Sequence, residues 1–253
     1  MAAHMATLRI QLWSGPRNVS TALMYAFAQR SDTRVVDEPL YAHYLRVSGA
    51  EHPGRDEVLA AQDADGEHVV RERILGASDR PVVFFKQMAH HLVELDRAFL
   101  RRAANVLLTR DPLDMLPSLE VQIPRPTLRD TGYAAQATLL DELLAAGQDP
   151  PVLEARELLL DPEGVLTQLC ARLDLRFEPA MLHWPAGPRP EDGVWAKHWY
   201  QAVHQSTGFE AYRPKTAPFP ERLRPLLIEC QPHYSKLAAR ALRARPAAAR
   251  GRA

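Results

Sequence analysis

The stretch Leu8-Arg-Ile-Gln-Leu-Trp13, Ser14-Gly-Pro-Arg-Asn-Val-Ser-Thr21, Ala22-Leu-Met-Tyr-Ala-Phe-Ala-Gln29 decides how the chain is read. A short apolar run, a turn, a basic residue with two hydroxyls and a helical pattern predict a strand, an anion loop and a helix. Unpaired backbone N–H groups at a helix start face outward, and the helix dipole favours negative charge there. Arg17 adds a fixed fork of donors suited to phosphate or sulfate oxygens. Gly15, Pro16, Arg17, Asn18, Val19, Ser20 and Thr21 are therefore candidate anion-binding residues. From Gly15 the Walker spacing would put Gly at Ser20 and Lys at Thr21, so this loop lacks the lysine of nucleotide triphosphatases. The same residues also suit an ordinary first strand and helix, with Ser and Thr serving as caps.

Composition narrows the class. The chain has 253 residues, with 31 basic side chains balanced by 31 acidic ones. That length fits one large domain. With no net charge, no nucleic-acid partner or membrane surface is expected, and any anion site must be local. Cys170 and Cys230 have no Cys or His at ligand spacing and read as buried free thiols of a reducing cytoplasm. No apolar run approaches the ~20 residues of a membrane span. Residues 1–4 read as a cloning remnant, 5–242 as the single domain and 243–253 as a disordered, Arg- and Ala-rich tail.

Further apolar runs at Thr33–Asp37, Pro81–Phe85, Asn105–Thr109 and Pro151–Glu154 have the compact character of parallel strands buried on both faces. Helical patterns at Ser20–Arg30, His91–Arg102, Pro112–Glu120, Tyr133–Ala146 and Pro162–Leu173 separate them. The expected architecture is α/β, a three-layer α/β/α domain with a central parallel sheet and a P-loop-like nucleotide-binding fold, its ligand loops at the strand C-termini. Ser48 to Gly76 reads as a polar insertion or helical lid. Gly187 to Pro220, rich in Pro, Trp and His, reads as a long structured loop.

A second strand-to-helix junction stands at Asn105-Val-Leu-Leu-Thr-Arg110-Asp-Pro-Leu-Asp-Met-Leu-Pro-Ser118. Asp111 is placed to cap and Pro112 suits the first turn. Arg110 and Ser118 could converge on one oxygen-rich group, or Arg110 could simply pair with Asp114. Together the two loops resemble the sulfotransferases that use 3′-phosphoadenosine 5′-phosphosulfate (PAPS), in particular their bacterial and carbohydrate-directed members. Those have a P-[KR]-S-G-[TS]-T loop for the 5′-phosphosulfate and an R-[DN]-P-x-D-x-x-x-S run for the 3′-phosphate. Asp37-Glu-Pro-Leu40 and the region from Glu154 to Leu175 are similar to further family motifs. The resemblance runs from Leu8 to about Phe177.

It implies a cytoplasmic, metal-independent enzyme that moves a sulfuryl group from PAPS to a hydroxyl or amine of a small-molecule or glycan acceptor, releasing adenosine 3′,5′-bisphosphate. Oligomeric state stays open. Arg17 would hold the 5′-phosphosulfate, Lys86 would reach the transferring group, and Arg110 with Ser118 would grip the 3′-phosphate. Glu38, where relatives place a catalytic glutamate, is the first candidate base, followed by His90 and then His91. Pro39 is expected to keep Glu38 extended. Ser206, Thr207 and Gly208, in an aromatic segment starting at Trp195, would close over the cofactor. Two departures stand out. Val19 occupies a place where the family usually has Gly, which forbids a positive φ there. Met88 stands where many members have a histidine base. A P-loop-type small-molecule kinase, needing Mg²⁺ and with only Asp37, Asp111 and Asp114 on offer, or a non-catalytic nucleotide-binding protein are the alternatives.

Overall fold

The computed structural model describes residues 7–246. Five parallel strands, β1 (Leu8–Ser14), β2 (Thr33–Asp37), β3 (Val82–Met88), β4 (Ala104–Thr109) and β5 (Val152–Glu154), form one sheet in the order β2-β3-β1-β4-β5. In β1 the pleat sends alternate side chains to opposite faces. Ile10 and Leu12 join Phe84, Val106 and Leu108 in one core, and Trp13 joins Val83, Phe85 and Leu107 in the other. The polar exceptions on β1 are paired: Gln11 accepts from Gln87 at 3.1 Å and the Trp13 indole donates to Asn105 at 2.9 Å.

Helices cover both faces. α1 (Ser20–Ala28) packs Leu23, Met24 and Phe27 on the first core, with Phe27 stacked on Phe84 at 4.2 Å between ring centroids. Each such fully buried side chain contributes roughly 1.5–3 kcal/mol. α2 (Tyr41–Ser48), α3 (Arg55–Ala61) and α4 (Gly66–Val69), the last running into a π-helical turn at Val70–Ile74, build the polar insertion. α5 (Pro112–Glu120) starts as its sequence predicts, Asp111 accepting from the Leu113 N–H and Pro112 in the first turn. α6 (Leu128–Thr131) leads through Gly132 into α7 (Tyr133–Ala145), whose Leu139, Leu140 and Leu143 fill the second core. α8 (Ala155–Leu160) and α9 (Pro162–Arg172) follow β5, with Asp161 capping α9. α10 (Ala196–Trp199) and α11 (Gln201–His204) lie in the long aromatic segment, and α12 (Arg224–Ala238) closes the chain against α7. No helix of the described residues is long and apolar enough to cross a membrane.

Two expectations are corrected. His91–Arg102 is not one helix: 3₁₀ turns at Ala89–His91 and Arg97–Arg102 flank an irregular stretch with Glu94 at φ 46°. Asp96 breaks the run by capping the second turn through the Ala98 N–H, and His43 takes the Val93 carbonyl at 2.8 Å. Within the expected tail, Arg245 is not frayed but forked onto Asp161, with contacts of 2.8 Å from Nε and Nη2. Residues 1–6 and 247–253 lie outside the described residues. Cys170 and Cys230 are buried free thiols, each pushed up to about 11 by burial.

Candidate active site

Because all five strands are parallel, the loops after β1, β2, β3 and β4 gather at one edge of the sheet. The long segment 187–220 folds over them. Its hold on the body is specific: Asp192 accepts from the Tyr25 hydroxyl of α1 at 2.7 Å, lies 2.9 Å from His204 Nε2, and the Gly193 N–H donates to Asp37 at 3.2 Å. Trp195 and Tyr200 pack with Tyr41, Tyr44 and Leu45 in a small core of their own.

Two cavities lie beneath this lid and share Arg17, Asn18, Thr21, Trp199 and Tyr200. The first, of about 300 Å³, is lined by Arg110, Ser118, Val203, Ser206, Gly208 and Phe209. The second, of about 80 Å³, has Glu38, Lys86, Met88, His90 and His91 with aromatic walls from Tyr41, His52 and Trp195. Arg17 stands between them. Its Nε donates to Ser118 Oγ at 3.0 Å, its Nη1 to the Trp199 carbonyl at 3.3 Å, and its own carbonyl accepts from Arg110 Nη1 at 3.0 Å. Burial, and the Arg110 charge beside it, hold the Arg17 guanidinium below its ordinary pKa. Among the described residues neither arginine is ion-paired to a carboxylate. Two neighbouring cations with no carboxylate ion-paired to either favour an anion beside them.

The loop itself differs from expectation in an instructive way. The left-handed conformation falls on Arg17, at φ 54°, whereas Val19 has φ −91° and needs no glycine. Asn18 supports the turn, accepting from the Ser20 N–H at 2.9 Å and donating to the Leu108 carbonyl at 3.3 Å. Ser20 and Thr21 begin α1 and line the smaller cavity. Gly15 serves packing: a Cβ there would lie 2.7 Å from the Thr131 carbonyl oxygen, at the end of α6. Gly15→Ala is therefore expected to cost ~1–3 kcal/mol through overpacking against backbone, read as a lowered melting temperature. An unchanged melt would mean that the α6 end yields freely.

At the cavity floor stands a buried charge cluster. Lys86 Nζ donates to Asp37 Oδ1 at 2.9 Å, to Glu38 Oε1 in a short ion pair, and to the Tyr200 hydroxyl at 2.6 Å. Lys86 is 1% exposed and Glu38 4%. Burial pushes the Glu38 carboxyl up to about 7; the Asp37 charge adds to this and Lys86 opposes it. Burial works against the Lys86 charge, but the two carboxylates outweigh it and hold its pKa above the ordinary lysine value. Glu38 is not extended as Pro39 was expected to make it. It has φ 36°, fixed by its N–H on the Lys86 carbonyl at 2.8 Å and by the Gln62 amide on its own carbonyl at 3.1 Å. Such a conformation costs energy and persists only where the surroundings over-determine it.

The histidines are less available. Burial drives His90 down to about 3 and His91 well below its ordinary value. His91 is stacked between Tyr41 and Tyr44, at 4.9 and 4.7 Å. Met88 lines the cavity beside them. Ser206 lines the larger cavity with its hydroxyl engaged, donating to the Val203 carbonyl and accepting from Trp184. Gly208 lines it too, and a Cβ there would lie 2.8 Å from the Leu182 carbonyl oxygen. Thr207 lines neither cavity; its carbonyl accepts from the Trp184 N–H. The acidic residues weighed as metal ligands are dispersed: Asp37 is on Lys86, Asp111 caps α5 and Asp114 accepts from Tyr212.

Sequence reasoning passed over several site residues. Tyr200 and Trp199 were within the aromatic segment but not singled out. Asp37 was weighed as a metal ligand and as part of the Asp37–Leu40 motif, not as a partner of Lys86. Lys215, on the wall of neither cavity but near Arg110, donates to the Asp114 carbonyl, is held low by burial and by Arg110, and carries no motif that could have flagged it.

At one edge of a parallel sheet the fold thus sets an arginine-bearing turn at a helix start, a second arginine at the neighbouring strand end and a buried carboxylate–lysine pair. The chain belongs to the sulfotransferase domain family, whose sequence profile matches residues 8–241. Among curated proteins it is similar to the branched-chain-amino-acid aminotransferase-like proteins 1 and 2 of Arabidopsis thaliana. They are 42% and 39% identical over 229 residues, covering 90% of this chain and 41% of each relative. The chain thus spans about two fifths of the length of those relatives. Among solved structures it resembles the sulfotransferase domain of the curacin biosynthetic pathway, with TM-score 0.54, 17% identity and coverage of 92% of this chain and 98% of that one. It also resembles a sulfotransferase from Alicyclobacillus acidocaldarius, with TM-score 0.53, 14% identity and coverage of 92% and 95%. At these identities the likeness is one of fold.

Proposed function

We propose that this sulfotransferase takes its sulfuryl group from PAPS and passes it to a hydroxyl or amine of a small acceptor, with Glu38 as general base. The observation that carries this reading is that Arg17 lines two cavities, one also lined by Arg110 and Ser118 and the other by Glu38, whose buried carboxyl is pushed up to about 7. Fit to the donor rests on the larger cavity, where two guanidiniums without carboxylate partners, the Ser118 hydroxyl and the aromatic faces of Trp199 and Phe209 match phosphate oxygens and a flat base. Bound there, PAPS would supply an activated sulfuryl group on a phosphate leaving group.

The residues divide the work. Arg110 and Ser118 hold the 3′-phosphate, with Lys215 adding charge beside Arg110. Arg17 and the turn around it hold the 5′ end and the developing charge. Glu38, ionised above pH about 7, accepts the proton of the acceptor. When it does so its charge disappears and its hold on Lys86, which also lines the cavity, weakens. His90, neutral and driven to about 3, is a far weaker proton acceptor. The cavity of about 80 Å³ behind Glu38 favours a slim small-molecule arm over a glycan. Two buried free thiols suit a reducing compartment, and the cytoplasm is the proposed site of action.

Family membership favours sulfuryl transfer over the kinase alternative, and calorimetry with PAPS, adenosine 3′,5′-bisphosphate and ATP–Mg²⁺ tests it directly. The bisphosphate is expected to bind in the presence of a chelator, because the arginines supply the counter-charge. Arg110→Ala should weaken it at least tenfold, from the ~1.5–3 kcal/mol of a charge-assisted contact, and Ser118→Ala should weaken it as well. Adenosine 5′-monophosphate should lose far less. Equal losses for both nucleotides would remove the 3′-phosphate assignment, and preference for ATP–Mg²⁺ would sink the PAPS reading.

A further inference from the structure

We propose that Tyr200, carried on the lid, is a positioning residue that partitions Lys86 between Asp37 and Glu38 and so sets the pH at which the base becomes competent. The inference rests on the reading of Glu38 as base and goes beyond it. The tyrosine hydroxyl is at the centre of the cluster. It donates to Asp37 Oδ2 at 2.7 Å, accepts from Lys86 Nζ at 2.6 Å and accepts from the Trp195 indole at 3.1 Å. Its ring also faces Lys86, with Nζ 5.0 Å from the centroid. Tyr200 is 5% exposed and lines both cavities. It stands where α10 meets α11, so its hydroxyl reaches the floor only through the lid.

The effect on the base follows from the charges. Glu38 feels Lys86 and Asp37 from β3 and β2, Tyr41 from α2, and Tyr200 from the lid, while His91 bears on Lys86. With the hydroxyl present, Asp37 has two donors besides Lys86, Tyr200 and the Gly193 N–H. Without it, Asp37 draws Lys86 toward itself and away from Glu38, whose ionised form loses support. Removing the Asp37 charge has the opposite sign, since that charge disfavours ionised Glu38 and competes for Lys86.

The test is the pH profile of kcat with PAPS and any working acceptor. Tyr200→Phe, which keeps the ring, should move the acid limb up by roughly one pH unit, the size of one charge-assisted hydrogen bond passed on in part. Its activity should fall about tenfold below neutrality and recover at alkaline pH. Asp37→Asn should move the limb down, which keeps the idea testable if Tyr200→Phe does not fold. A limb that stays in place in either folded variant, with turnover merely reduced at every pH, overturns the inference. Full turnover of Glu38→Gln would instead overturn the base assignment, so the two failures are read from different proteins.

Discussion

Glu38→Gln is expected to lose ~10²–10⁴-fold in kcat, the range for removing a general base, while adenosine 3′,5′-bisphosphate affinity stays near that of the parent enzyme. The second half follows from position: Glu38 lines the small cavity and not the larger one that contains Arg110 and Ser118. Glutamine keeps the shape and can still accept from Lys86, so the buried lysine retains Asp37 and Tyr200 as partners. In the parent enzyme kcat should rise with pH through about 7, because the active form is the ionised one and burial has raised its pKa to that value. The variant should lose this acid limb along with its activity. His90→Ala, which removes an imidazole already driven to about 3, should be milder. Abolished turnover in His90→Ala with an active Glu38→Gln would transfer the role of base to the histidine.

The parts of this site that were legible in the sequence are those that local chemistry dictates. The strand–turn–helix at Leu8–Gln29 is written in its apolar run and its Gly-Pro turn. The start of α5 is written in Asp111-Pro112, and the start of α9 in Asp161-Pro162, because a capping side chain and a proline act within one turn. Arg110 and Ser118, eight residues apart, both stand on the wall of one cavity. What could not be read was the outcome of contacts distant in the chain. The helical pattern of His91–Arg102 lost to Asp96 capping and to His43 from the insertion. Pro39 favours an extended Glu38, yet the Lys86 carbonyl and the Gln62 amide impose φ 36°. The glycine rule applied to Val19 failed because the turn places its left-handed residue two positions earlier, at Arg17. Lys86 was read as a lysine free to reach substrate, and no local signal could show that its three protons go to Asp37, Glu38 and Tyr200.

That last point changes what Lys86→Met should do. Were Lys86 a simple contact to the transferring group, the variant would fold normally and only turnover would suffer. Here the substitution leaves two carboxylates, both buried and neighbours in sequence, without their shared cation. Breaking one side of a buried ion pair costs about 3–5 kcal/mol, because the surviving charge keeps its desolvation penalty and loses its attraction. For a domain of this size that corresponds to a fall of roughly 6–20 °C in Tm, at about 2–4 °C per kcal/mol. Turnover should be lost as well. The pH dependence has a definite sign. Without Lys86, which opposes the rise, the Glu38 pKa moves further above its unfolded value, so the folded variant binds a proton that the unfolded chain releases. Its deficit relative to the parent should therefore be smaller near pH 5 and grow as the pH rises through neutrality. Adding Glu38→Gln to Lys86→Met should recover part of the lost stability, since a neutral amide is cheaper to bury than an unpaired carboxylate. Thermal melts of the parent, the single variant and the double variant across that pH range make the comparison. A Lys86→Met protein melting at the parent temperature throughout would show that Asp37 and Glu38 do not depend on Lys86 to stay buried, and the cluster could not then be the element that sets the base.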